Sequence, residues 1–145
     1  MTTTYATVAD MISHYGEVEM RRVSVVDGEV PETVLPTRIE RALRDASSLA
    51  DTYLGSRIPV PVAVPPEALL LNVRAIARYY LWTGGDRTPS DDIKAAYAQA
   101  LAWLKAVAEG LATIDGTPPA GAPTSCARTS DRPRLINMDS TRGLG

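Results

Sequence analysis

Arg38-Ile39-Glu40-Arg41-Ala42-Leu43-Arg44-Asp45-Ala46-Ser47-Ser48-Leu49-Ala50-Asp51-Thr52-Tyr53-Leu54 is the stretch that decides the fold. Ile39, Leu43, Ala46, Ala50, Tyr53 and Leu54 recur three or four residues apart, and Ala42 and Leu49 widen the stripe. Arg38, Glu40, Arg41, Arg44, Asp45 and Asp51 take mainly the other faces. That period belongs to an amphipathic α-helix, not to the alternation of a strand. Thr37 is the expected N-cap, and Gly55 stands where the helix should stop.

The same pattern repeats on either side. Upstream, Thr7 followed by Asp10 is a variant capping box, Val8, Met11, Ile12 and Tyr15 keep helical spacing, and Gly16 terminates them. Downstream, Pro66 suits a first helical position, and Leu69, Leu70, Val73, Ile76, Ala77, Tyr80 and Leu81 make a broad apolar stripe. Ser90 caps a further helix carrying Ile93, Ala96, Tyr97, Ala100, Leu101, Leu104 and Ala108, closed by Gly110. The expected architecture is all-α, a compact bundle of about four helices.

Two stretches cannot join those helices. Ile58-Pro59-Val60-Pro61-Val62-Ala63-Val64-Pro65-Pro66 lacks the donors for a helix or a ladder, and reads as an extended apolar strap over the core. Its PxP spacing is not the PxxP pattern of a polyproline ligand. Glu17–Val23 could form a short helical turn ending near Met20, and Val23, Val25 and Val26 suggest an extended piece, but Asp27-Gly28, Pro31 and Pro36 make Glu17–Pro36 as a whole read as a surface loop. After Gly110 the composition becomes that of a linker, Thr117-Pro-Pro-Ala-Gly-Ala-Pro-Thr-Ser125. The division is therefore a helical domain over 1–110 and an extended linker and docking arm over 111–145.

Composition narrows the function. The chain has 145 residues, enough to bury one core without metals or disulfides. A net charge of -2 argues against sequence-independent nucleic-acid binding, which needs a basic surface to displace counterions. His14 is the sole histidine and Cys126 the sole cysteine, which excludes histidine clusters, multi-cysteine metal sites and internal disulfides. No stretch approaches the roughly 20 apolar residues of a membrane span, and the N-terminus lacks the pattern of a signal peptide. No catalytic constellation emerges. A His14/Cys126 pair joins a short helix to a linker, Asp91 and Asp92 point different ways from a helix start, and Gly84-Gly85 lacks Walker spacing. The expectation is a protein with no enzymatic activity, no cofactor and no metal.

Arginine and aromatic residues are left as interaction candidates. Arg74, Arg78 and Arg87 gather around the third of these helices and suit subunit contacts better than DNA contacts. In the arm, Pro133, Arg134, Leu135, Ile136, Met138 and Arg142 combine apolar anchors with forked donors, as docking segments do. The tyrosines and tryptophans, without a surrounding basic patch, read as core and interface residues rather than base-stacking platforms. A small helical nucleic-acid-binding regulator is the alternative, and it would need a basic recognition helix.

The order of several segments resembles a known family. Tyr5-Ala-Thr-Val-Ala-Asp-Met-Ile, the decisive helix continued through Gly55-Ser-Arg57, Ile58-Pro-Val-Pro, Pro65-Pro, Ala75-Ile-Ala-Arg-Tyr-Tyr-Leu, Tyr97-Ala-Gln-Ala-Leu-Ala-Trp-Leu and Asp139-Ser-Thr-Arg-Gly-Leu look like the Mu-like phage family of head–tail joining proteins. Val23–Pro36 and the linker after Gly110 depart from the pattern, and nothing is carried over there. The resemblance implies a structural head–tail connector of a tailed bacteriophage. Such an adaptor forms a ring of roughly twelve copies below the portal, closed by heterologous contacts. It extends the DNA channel and offers a platform to the next neck or tail component. Implied partners are copies of itself, the portal protein, that next component, and genomic DNA passing without sequence-specific binding. The implied location is the virion neck, and the host cytoplasm during assembly.

Overall fold

Thr7 fixes where the first helix begins. Its Oγ1 accepts the N–H of Asp10, and the Asp10 carboxylate accepts the N–H of Thr7, so two orphan donors are satisfied reciprocally. Those bonds also hold the Asp10 carboxyl below its usual range. The computed structural model describes residues 3–114, and the arm candidates Pro133, Arg134, Leu135, Ile136, Met138 and Arg142 lie outside them, as does Cys126. The described residues form five helices: α1 Val8–Tyr15, α2 Glu17–Val23, α3 Pro36–Leu54, α4 Glu67–Trp82 and α5 Asp91–Glu109. The fold is all-α. Among the described residues the only β pairing is an isolated bridge between Gly84 and Arg87.

α2 fills the possible helical turn at Glu17–Val23 and corrects the reading of the whole of Glu17–Pro36 as a surface loop. Gly16, at φ +90°, turns the chain between α1 and α2 without a Cβ penalty. Met20 and Val23 are then fully buried, so tertiary packing stabilises a helix too short to persist alone. The start of α3 also differs. Leu35 is the N-cap and Pro36 the first helical residue, which places Thr37 inside the helix. Proline suits that position because its missing N–H has no intrahelical partner there. Pro66 in turn caps α4 from outside.

α3, α4 and α5 pack against one another, and the α1–α2 hairpin attaches to α3 through α1. Ile39, Leu43, Ala46, Ala50 and Leu54 of α3 meet Leu69, Val73, Ile76, Ala77 and Leu81 of α4, with Ala100, Leu104 and Val107 of α5, in one cluster. Leu70 and Leu101, expected inside, pack against that cluster while only partly buried. The strap alternates. Ile58 and Val62 are buried in the core, whereas Val60 and Val64 face out. Ile114 is also buried, so the described core closes at the end of α5.

Candidate functional site

The arginines singled out on α4 are engaged within the chain. Arg78 donates Nε to Glu19 Oε1 at 2.6 Å and Nη2 to Glu19 Oε2 at 2.9 Å. Trp82 Nε1 donates to the same carboxylate at 3.0 Å. The Arg78 guanidinium also lies 4.5 Å from the centre of the Tyr15 ring. One acidic residue of α2 thus gathers α4, and the cation above it gathers α1. Arg74 is nearly buried and pairs with Glu67 at 2.5 Å, while its Nε has no hydrogen-bond partner among the described residues.

Other arginines hold backbone carbonyls. Arg57 donates Nε to Ala108 O and Nη2 to Glu109 O, both at 3.0 Å, and so caps the carbonyl end of α5. Gly110 follows in left-handed geometry at φ +78°, and a Cβ there would stand 2.8 Å from Arg57 Nη2. Arg38 donates to Val23 O at 2.7 Å and Val25 O at 3.1 Å, and Arg87 donates to Val25 O at 2.6 Å. Burial and the neighbouring Arg87 charge lower the pKa of Arg38. Arg21 reaches Glu32 O at 3.0 Å. Together these bonds pin the segment between α2 and α3.

That pinned segment is an unusual surface. Val26, Val30 and Leu35 are 43%, 50% and 43% exposed. Asp27, Glu29 and Glu32 are exposed beside them, and none forms an ion pair among the described residues. Gly85 passes so close that a Cβ on it would lie 2.9 Å from Asp27 Oδ1. A groove of about 810 Å³ runs between this segment and the first turns of α3, with Arg38, Glu40, Arg41 and Arg44 on the helix side. The sequence signal for the surface was faint, because valines in a turn-rich stretch read only as part of a surface loop.

A tyrosine cluster bridges α4 and α5. The Tyr79 and Tyr97 rings stack at 4.0 Å, and Tyr80 leans on Tyr97 at 6.2 Å. Burial first, then the Tyr97 charge, pushes Tyr80 up to about 12. At the strap, the Tyr5 hydroxyl donates to Asp51 and accepts the Val62 N–H at 2.9 Å. Burial and the Asp51 carboxylate raise Tyr5 to about 12 as well. Among the described residues no cluster of three His, Cys, Asp or Glu side chains could hold a metal ion. No described helix is long and apolar enough to cross a membrane.

Comparison with known proteins gives the family. Residues 5–130 match the family described as Bacteriophage Mu, Gp36. Gene product J of Escherichia phage Mu is 32% identical over 109 residues, which cover 73% of this chain and 72% of that protein. The Mu-like prophage FluMu protein gp36 of Haemophilus influenzae is 31% identical over 77 residues, 53% of this chain and 52% of the relative. The chain belongs to the phage Mu Gp36 family.

Proposed function

We propose that the protein is a structural head–tail connector of a Mu-like tailed phage. It forms a ring of roughly twelve copies below the portal, closed by head-to-tail contacts, extends the DNA channel and receives the next neck or tail component. It acts without catalysis or cofactor, in the virion neck and in the host cytoplasm during assembly. The C-terminal arm, through Pro133, Arg134, Leu135, Ile136, Met138 and Arg142, docks on an adjacent subunit or on the portal. The observation that carries this reading is the family match over most of the chain, to a phage family.

The surface chemistry agrees with an assembly role. Arg57 and Arg78 hold the fold together, and so do Arg38 and Arg87. Exposed apolar side chains remain at Val26, Val30, Leu35, Leu71 and Leu111. On α3 the exposed Arg41 and Arg44 alternate with the acids Glu40 and Asp45, which gives a mixed face rather than a phosphate-binding one. Cryo-electron microscopy of the parent particle tests the proposal. A ring of this chain coaxial with the portal is the expected result. Sequence-specific duplex binding at nanomolar concentration and physiological salt would instead favour a regulator.

A further inference from the structure

The segment between α2 and α3 joins two properties that rarely coincide. Arg38, Arg87 and Arg21 hold it in one conformation through its carbonyls. Yet it leaves Val26, Val30 and Leu35 about half exposed, interleaved with the exposed carboxylates Asp27, Glu29 and Glu32, which form no ion pair among the described residues, although Asp27 acts on the nearby Arg38 charge. Ordering a loop costs roughly 1–2 kcal/mol per residue in backbone entropy, so a pinned loop that leaves these apolar side chains only half covered is organised for a partner. That partner should carry apolar anchors alternating with positive charge.

The chain itself carries such a segment. From Arg128 onward it has four arginines and two aspartates, with Leu135, Ile136 and Met138 spaced between them. The last described residue is Ile114. The residues from there to Arg132 can span up to roughly 60 Å. A domain of this size is only about 35 Å across. The arm can therefore reach the loop from any point on the same domain. A tether of this kind holds its end at roughly millimolar effective concentration, above any ordinary concentration of a second copy.

We propose that in the free chain the surface formed by Val26, Asp27, Glu29, Val30 and Glu32 is the docking site of the chain's own arm, Arg128–Arg142. Leu135 and Ile136 cover the valines, and Arg132 and Arg134 meet the carboxylates. Of these surface residues only Val26 also lines the groove, whose helix wall carries Arg41 and Arg44, so the arm's arginines are placed at the exposed carboxylates outside it. This contact concerns the free chain and does not depend on the role in the virion. It keeps an adhesive surface covered before assembly.

Disulfide trapping in the full chain tests it. On a Cys126→Ser background, Val30→Cys is combined with Met138→Cys, and Ala98→Cys, exposed on α5, with Met138→Cys as control. The Val30 pair should close within one chain about tenfold faster than the control, since docking raises the local concentration above that of a free tether. Adding Glu29→Lys and Glu32→Lys should remove the advantage, and Arg132→Glu with Arg134→Glu should restore it. Equal closure at the two sites overturns the proposal, as does indifference to the charge reversals. Covalent dimers formed in place of internal disulfides identify a second copy as the occupant and overturn it too.

Discussion

Glu19 and Arg78 form a two-point ion pair that ties the α1–α2 hairpin to α4, with contacts of 2.6 and 2.9 Å. Both side chains are largely buried, at 20% and 27% exposure. Trp82 shares the carboxylate. Removing Glu19 leaves a largely buried guanidinium and an indole N–H without their acceptor. Charge-assisted bonds of this kind contribute about 1.5–3 kcal/mol each. Glu19→Ala should therefore lower the unfolding free energy measured in urea by an amount in that range, and Arg78→Ala should cost a similar amount. The double variant should cost clearly less than the sum, because each change removes the same interaction. Strict additivity would show that the pair is not coupled.

Alkaline stability follows from Tyr5 and Tyr80. Both are pushed up to about 12 from an ordinary value of 10.0. The neutral phenol is the form that the fold prefers. Its contribution is fully present below pH 10 and is lost as pH rises from 10 through 12. The melting temperature should stay level below this window and fall across it. Tyr5→Phe should lower the plateau, since the Val62 N–H loses its acceptor. In the Tyr5→Phe/Tyr80→Phe chain the fall should be shallower. An unchanged alkaline slope in that chain would reject the assignment.

Burial ranks the core leucines. Leu43 and Leu104 are essentially inaccessible, whereas Leu70 and Leu101 keep part of their surface in contact with solvent. Truncating a fully buried leucine costs about 2–5 kcal/mol, because lost transfer energy and a residual cavity add. Leu43→Ala and Leu104→Ala should fall in that range by chemical denaturation, with Leu70→Ala and Leu101→Ala milder. If all four were equally costly, the half-buried pair would have to be sealed by something outside the domain.

The periodic stripes made the all-α class, α3, α4 and α5 legible, because three-to-four-residue spacing over several turns has no other reading. α2 was not legible for the opposite reason. Seven residues offer only Met20 and Val23 as buried contacts, and their helicity comes from what they pack against. Leu35 displaced Thr37 as the cap because Pro36 is already helical, a choice that a side-chain preference for threonine could not foresee. The roles of Arg38 and Arg57 were hidden as well, and Arg87, read as a subunit contact, instead holds the Val25 carbonyl. A guanidinium that holds a carbonyl 51 residues away leaves no local pattern, and Arg57 with Ala108 is such a case. Arg78 was singled out for the α4 face, but its carboxylate partner sits in the stretch that read as a loop.

The arm offers the sharpest separation of fold from function. The described core closes with Ile114, and the family match ends at residue 130. Deleting Ser130–Gly145 removes none of the residues of that core. The truncated chain should keep its helical circular dichroism and a cooperative unfolding transition, losing no more than about 1.4 kcal/mol, the equivalent of the tenfold docking advantage. The same deletion removes Pro133, Arg134, Leu135, Ile136, Met138 and Arg142, the apolar anchors and forked donors proposed to dock. Particles complemented with the truncated chain should therefore accumulate filled heads without tails. Unfolding of the truncated chain would assign the arm to the core instead. Normal tail attachment by a folded truncated chain would remove the arm from head–tail joining, and would leave the ring proposal to stand or fall on the particle images.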